Sequence, residues 1–284
     1  MIHNKTTTTL LLLIAIAVGA SMSTLAQSRQ PSAPDEPGAV VWFDLLTKDD
    51  EAVLDFYRKL FGWEIQPHTE RHWVVVHNGR PIAGISQIHV DAPGESEAFW
   101  LAGIVVDDVD EAVARADLLG AEVHVKPKDS AGYARYAVIS DADGVPVMLL
   151  DPFTTLGGDR GPGSWVWAEL WTRRPDAQAA FYRDVVGFET DQTDVSGAPY
   201  RVFETNGEMR AGLVTIPNDD IEPAWAPYLL VDDLDTVLRR TPKLGGTVVA
   251  EPDRFSSRGE VALIADPTGA AFFVYQRAEK GAAR

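Results

Sequence analysis

Residues 56–64 read FYRKLFGWE and residues 181–189 read FYRDVVGFE, one pattern written twice at an offset of 125. The offset extends outward on both sides. Trp42 pairs with Trp167, Trp100 with Trp225, Asp107 with Asp232, Gly120 with Gly245, Asp141 with Asp266 and Gly144 with Gly269. Between these, Asn78-Gly79 and Ala83-Gly84 match Asn206-Gly207 and Ala211-Gly212 at 128, so a small insertion is cancelled before Trp225. A repeat this long suits paired globular domains rather than a solenoid. The reading is a first domain at 38–155, a Gly- and Asp-rich linker at 156–163, a second domain at 164–278 and a short tail at 279–284.

Each domain is itself weakly double, since Asp49 and Asp107 lie 58 apart, as do Gly62 and Gly120. VVWFDLLT (40–47) alternates and is rich in β-formers, which predicts a strand. DDEAVLDFYRKLFG (49–62) puts Val53, Phe56, Tyr57 and Leu60 on one helical stripe and stops at Gly62. RHWVVVHNGRPIAGISQI (71–88) reads as two strands across an Asn-Gly turn. The next module repeats the order: FWLAGIVV as strand, DDVDEAVARADLLG as a helix capped by Asp107 or Asp108, then AEVHV, ARYAVIS and VPVMLL as strands.

That order, with VDDVDEAVARADLLGAEV and DADGVPVMLLDP in the first domain and VDDLDTVLRRTPKLGGTVV and DPTGAAFFVYQ in the second, resembles the vicinal oxygen chelate superfamily. These are the relatives of glyoxalases, bleomycin-resistance proteins and extradiol dioxygenases. The resemblance implies an α+β fold of tandem paired βαβββ modules: two domains of curled mixed sheets, helices outside, each sheet enclosing a concave cleft. It implies less about the reaction, because a fold does not dictate chemistry.

Metal-using members of that superfamily hold a divalent ion through His, Gln or Glu on the first strand of each module and through Glu near the module's end. Carried onto this chain, the first-strand positions fall on Trp42 and Leu101 in one domain and on Trp167 and Ala226 in the other. The carboxylate position falls on Met148 and Phe273, and the remaining one on AGISQI or AGLVTI, where only Gln87 could coordinate. A cation needs several converging oxygen or nitrogen donors, which an indole, thioether or phenyl ring does not supply. The resemblance therefore implies a dismantled metal site. No cofactor is predicted, and a divalent metal would have to use donors outside those positions.

The histidines point the same way. His3 lies near the start, and His68, His72, His77, His89 and His124 all precede the join, so the second domain cannot build a histidine-based site. His72 and His77, five apart, face opposite sides of one strand. All five read as surface or hydrogen-bonding residues, and a site pairing Asp44 with His124 stays open.

If Trp42 stands at a ligand position it faces the cleft, and a period of two brings Asp44 and Leu46 beside it while Phe43 and Leu45 face the helix. In the second copy that face reads Trp167, Glu169, Trp171. A carboxylate between aromatic surfaces is costly unless paired or used. Two readings follow. In one, Trp42, Leu101, Met148, Trp167, Trp171 and Phe273 line ligand-binding clefts in which Asp44 or Glu169 binds a hydroxyl or a cation, or acts catalytically as a general base with a raised pKa. In the other, each acid caps the backbone or pairs with an arginine such as Arg201, Arg254 or Arg258. The doubled aspartates at 107–108 and 232–233 read as helix caps. The chain has no phosphate-cradling glycine loop with lysine and no GxSxG elbow.

Composition bounds the rest. The 284 residues carry a formal net charge of −17, which repels phosphate backbones and anionic lipid. With 45% hydrophobic and 24% charged residues the chain is globular, and with no cysteine it cannot use a disulfide, a thiolate nucleophile or a zinc-thiolate site. Residues 1–26 carry the single charge of Lys5, an apolar run from Leu10 to Ala20, then small or polar residues, which matches a secretory signal cleaved between Ala20 and Ala26. Eleven apolar residues fall short of the ~20 that span a bilayer, and 27–37 reads as a loose leader. The expectation is an exported, periplasmic or extracellular protein that binds a small organic molecule without metal, in one pocket per domain or one between them. It would engage neither nucleic acid nor, once the signal is removed, membrane; pairing into a homodimer is left open. The alternative is an enzyme: a lyase or isomerase using Asp44 or Glu169 without metal, or a glyoxalase- or dioxygenase-like enzyme with metal ligands elsewhere.

Overall fold

VVWFDLLT forms β1 (Val40–Thr47), and the stripe after it forms helix α1 (Asp50–Phe61). Asp49 caps the helix by accepting from the Ala52 N–H, and Gly62, in the left-handed region at φ 71°, ends it. The computed structural model describes residues 36–88, 98–195, 198–218, 220–252 and 259–278, so the predicted secretory segment and His89 lie outside the described residues, as do Arg254 and Arg258.

Three strands complete the first module: β2 (Glu64–Thr69), β3 (His72–His77) and β4 (Arg80–Gln87). Asn78 (φ 50°) and Gly79 (φ 74°) turn β3 into β4, the two positive φ values that a tight hairpin with the right twist demands. The second module repeats the order with β5 (Phe99–Val105), α2 (Val109–Leu118), β6 (Val123–Ser130), β7 (Ala134–Ser140) and β8 (Pro146–Pro152). Asp108 rather than Asp107 is the cap of α2, accepting from the Glu111 N–H at 2.9 Å. The second domain runs β9 (Trp165–Thr172), α3 (Pro175–Val186), β10 (Glu189–Val195), β11 (Ala198–Thr205), β12 (Glu208–Thr215), β13 (Ala224–Leu230), α4 (Leu234–Arg240), β14 (Thr247–Ala250), β15 (Gly259–Ala265) and β16 (Ala271–Arg277).

Each domain is one eight-stranded mixed sheet, in the order β2-β3-β4-β1-β5-β8-β7-β6 and, identically, β10-β11-β12-β9-β13-β16-β15-β14. The fold is therefore α+β, with two paired βαβββ modules per domain meeting at the antiparallel β1–β5 and β9–β13 seams. No local pattern marks β2 as a strand: EIQPHT is polar, mostly exposed and interrupted by Pro67, which is what a sheet edge permits and a central strand does not.

Phe43 and Leu45 point toward the helices as alternation requires, into a core continuous through both domains. At its centre Trp165 meets Phe43, Trp100 and Phe272 at ring-centroid distances of 5.1, 5.0 and 6.0 Å. Buried rings of this kind contribute roughly 2–3 kcal/mol each, so one shared apolar layer holds the two sheets. The opposite, concave face of each sheet is free to carry a site, and there the two copies differ.

Candidate functional site

In the first domain Trp42, Asp44 and Leu46 project from β1 into the concave face. Two adjoining cavities of about 440 and 790 Å³ lie over them and share Asp44, Ser86, Tyr136 and Met148 as walls. Trp42 and Tyr133 line the smaller cavity, their rings 6.5 Å apart, and Leu101 and His124 line the larger. Asp44 stands at the junction and is only 6% exposed. Its Oδ2 accepts from the Ser86 hydroxyl at 2.7 Å, while Oδ1 accepts no hydrogen bond. His72 Nε2 lies 3.4 Å from that oxygen, and a Cβ on Gly84 would overlap it, so the missing side chain of Gly84 is what makes room for the Asp44–His72 approach.

His68 joins His72 in the cleft, edge to face at 5.5 Å, and touches Tyr133 at 5.2 Å. Desolvation, with the neighbouring His72 adding to it, holds the His68 pKa below the ordinary histidine value. Neither histidine is marked by its own stretch of sequence as a cleft residue; both line the smaller cavity. The signal was present for His72: at the offset of 128 it aligns with Tyr200 of the second copy, a residue on the strand next to Gly212. The other two described histidines are used differently, His77 bonding the Pro162 carbonyl at 2.8 Å and His124 the Ser140 hydroxyl at 2.6 Å.

The second domain places Trp167, Glu169 and Trp171 on the equivalent face, but among the described residues no arginine meets the carboxylate. Glu169 is fully buried (0% exposed) and accepts from Tyr200 on Oε1 at 2.6 Å and from Tyr228 and Trp171 on Oε2 at 2.7 and 3.0 Å. Trp167 in turn donates its indole N–H to the Tyr200 hydroxyl at 3.1 Å. Around this cage Phe273 stacks on Tyr228, centroids 4.5 Å apart, and packs against Trp171. Burial pushes the Glu169 carboxyl above the usual carboxylate range, and the three donors pull it partly back. Arg201, offered by the sequence as a partner for this acid, instead pairs with Asp176 at 2.7 Å.

The superfamily's divalent ion can now be tested against these side chains. Its ligand positions hold Trp42, Leu101 and Met148 over the first cleft and Trp167, Ala226 and Phe273 over the second, none of which offers an oxygen or nitrogen lone pair. Gln87 turns away to donate to Asp50 at 2.8 Å. Among the described residues no group of three or more His, Asp or Glu side chains is gathered to hold a metal ion. The residues present do not fit the ion.

Comparison with known proteins agrees with this architecture. The family described as Glyoxalase/Bleomycin resistance protein/Dioxygenase superfamily matches residues 39–149, and a Glyoxalase-like domain family matches 166–275. CFP32 of Mycobacterium tuberculosis, provisionally named a glyoxylase, is 31% identical over 249 residues, spanning 85% of this chain and 95% of its own. The anthracycline biosynthesis protein DnrV of Streptomyces peucetius is 31% identical over 261 residues, spanning 86% and 94%. Among solved structures, the Mn(II)-bound glyoxalase from Novosphingobium aromaticivorans superposes with a TM-score of 0.61 at 15% identity, covering 87% of this chain and 86% of that one. The 2,3-dioxygenase LapB from Pseudomonas sp. KL28 does so at 0.58 and 12%, covering 84% and 91%.

Proposed function

The chain belongs to the glyoxalase/bleomycin resistance protein/dioxygenase superfamily, and from that premise we propose that it is a metal-free binder of a small organic molecule in the cleft of its first domain. One observation carries the reading. Asp44 lines two cavities and has a single hydrogen-bond donor, Ser86, whereas Glu169, its counterpart, is closed in by Tyr200, Tyr228 and Trp171. A buried carboxylate with few donors is unfavourable, and a ligand donor to it would be favourable. Aromatic and apolar walls with a few convergent polar groups are the usual make-up of a small-molecule site. The leading residues 1–26 support export, and the match to DnrV supports an organic ligand of secondary metabolism.

A second reading draws on the Asp44–His72 approach of 3.4 Å: a metal-free lyase or isomerase in which this pair accepts a substrate proton. Glu169 has no part in either reading.

The experiment uses the second domain's own plug. Leu46 occupies the position of Trp171, whose indole N–H bonds Glu169, so Leu46→Trp should fill the first cleft and offer Asp44 a donor. In a thermal-shift screen of metabolites, compounds that bind the cleft raise the Tm of the native chain by mass action and not that of the variant. Equal stabilisation of both chains, or of neither across the panel, would overturn the proposal.

A further inference from the structure

The two clefts are one site built twice, and the second copy holds its own occupant. On β13, Tyr228 stands opposite Trp167 and beside Phe273; on β5, Gly103 stands opposite Trp42 and beside Met148. In the second domain the Tyr228 ring lies on Phe273, its plane inclined by 15°, and its hydroxyl donates to Glu169 at 2.7 Å. In the first domain that position is Gly103, which carries no ring. The acid there is Asp44, one methylene shorter than Glu169, so its carboxylate sits nearer the strand and leaves more room in front of it.

Polar bookkeeping shows the same gap. Both oxygens of Glu169 have donors, whereas Asp44 has one hydrogen-bond donor, Ser86 on Oδ2, and on the buried Oδ1 only the His72 approach at 3.4 Å. Asp44 and Met148 line both cavities, and Trp42 lines the smaller. The space is not reached from the strand itself, because a Cβ on Gly103 would lie 2.8 Å from Leu150 Cδ1 and 2.9 Å from Trp42 Cβ. An occupant must therefore come from the cleft side.

We infer that the first domain takes a hydroxyaryl group, a phenol whose hydroxyl donates to the Asp44 carboxylate and whose ring lies against Met148 and Trp42, in the place that Tyr228 holds in the second domain. A phenol is the side chain of the missing tyrosine, so the internal copy supplies both the donor and the ring. The carboxylate makes the bond charge-assisted, and the Met148 thioether offers the ring a soft, polarisable contact. This rests on the binding reading above and narrows it to a ligand class.

The test is calorimetry on the full chain with para-cresol, para-methylanisole and toluene. Para-cresol is expected to bind about tenfold or more tightly than its methyl ether, the worth of one charge-assisted hydrogen bond. That preference is expected to vanish in Asp44→Ala. The comparison with the ether needs no variant, so it holds whatever Asp44→Ala does to folding. Equal affinities for para-cresol and para-methylanisole, or a preference that survives Asp44→Ala, would overturn the hydroxyaryl assignment. If para-cresol fails to bind while a screened metabolite still stabilises the native chain and not Leu46→Trp, the ligand class falls and the binding reading stands.

Discussion

Tyr57, in the first domain's helix α1, donates its hydroxyl to Asp266 of the second domain at 3.0 Å, and the second domain returns the bond through Tyr182 to Asp141 at 3.1 Å. Each aspartate also holds its own turn: Asp141 Oδ1 accepts from the backbone N–H groups of Asp143 and Val145, and Asp266 Oδ1 from those of Thr268 and Ala270. The repeated tyrosines at 57 and 182 and the repeated aspartates at 141 and 266 are thus two halves of one reciprocal fastening between domains.

Removing a hydroxyl from this fastening leaves a buried carboxylate oxygen short of a donor. Tyr57→Phe and Tyr182→Phe are each expected to lower stability by about 1–3 kcal/mol in urea unfolding. A loss below a few tenths would show that the bonds hold nothing together.

Glu169 titrates in its cage, and burial raises its folded-state pKa. A raised folded pKa means that its favourable contribution is present below the unfolded value and is lost as pH rises through the folded value. Glu169→Gln removes that titration, so the variant should gain on the native chain between pH ~4 and neutrality. Unfolding curves across that window check the sign, and ligand stabilisation should be unchanged. A stability difference that is flat with pH, or that moves the other way, contradicts the assignment.

Gly212→Ala and Gly84→Ala probe the same opening in the two copies. A Cβ on Gly212 would overlap the Tyr200 hydroxyl within a packed cage, so the cost should be about 1–3 kcal/mol of stability. On Gly84 the overlap is with Asp44 and His72 beside open cavities, where the side chains can give. There the expected loss is mainly in ligand affinity, read by calorimetry; the reverse assignment of the two losses would refute the contrast between clefts.

His68 should titrate below the ordinary histidine value in NMR, and His72→Ala should raise its midpoint without restoring it fully. Desolvation is the larger cause of the depression and the neighbouring imidazole the smaller. An unmoved midpoint in the variant would show that the two rings do not sense each other.

Metal analysis of purified protein is expected to return well below one equivalent of Zn, Ni, Mn or Fe, because Trp42, Leu101 and Met148 stand where donors would have to be. Stoichiometric metal, lost together with an activity, would refute the metal-free reading.

Much of this was legible in the chain. Alternation along VVWFDLLT put Trp42, Asp44 and Leu46 on one face and Phe43 and Leu45 on the other, and the Asn-Gly pair at 78–79 marked its hairpin, because strand period and turn dihedrals are local properties. Asp108 was one of two candidates for its cap, separable only by geometry. His68 and His72 are not legible as cleft residues because they reach β1's acid only through the sheet order β2-β3-β4-β1, and β2 carries no strand signal of its own.

The sequence by itself determined the duplication, the modules and which residues of the first strand in each copy face the cleft, since these follow from spacing and from side-chain chemistry at single positions. Only the tertiary structure decided that one cleft is open and the other closed. That outcome depends on volume summed across strands distant in sequence, with Gly103, Leu46 and Met148 beside Asp44 in one copy and Tyr228, Trp171 and Phe273 beside Glu169 in the other. No single stretch of chain contains that sum, and the sheet assembles it.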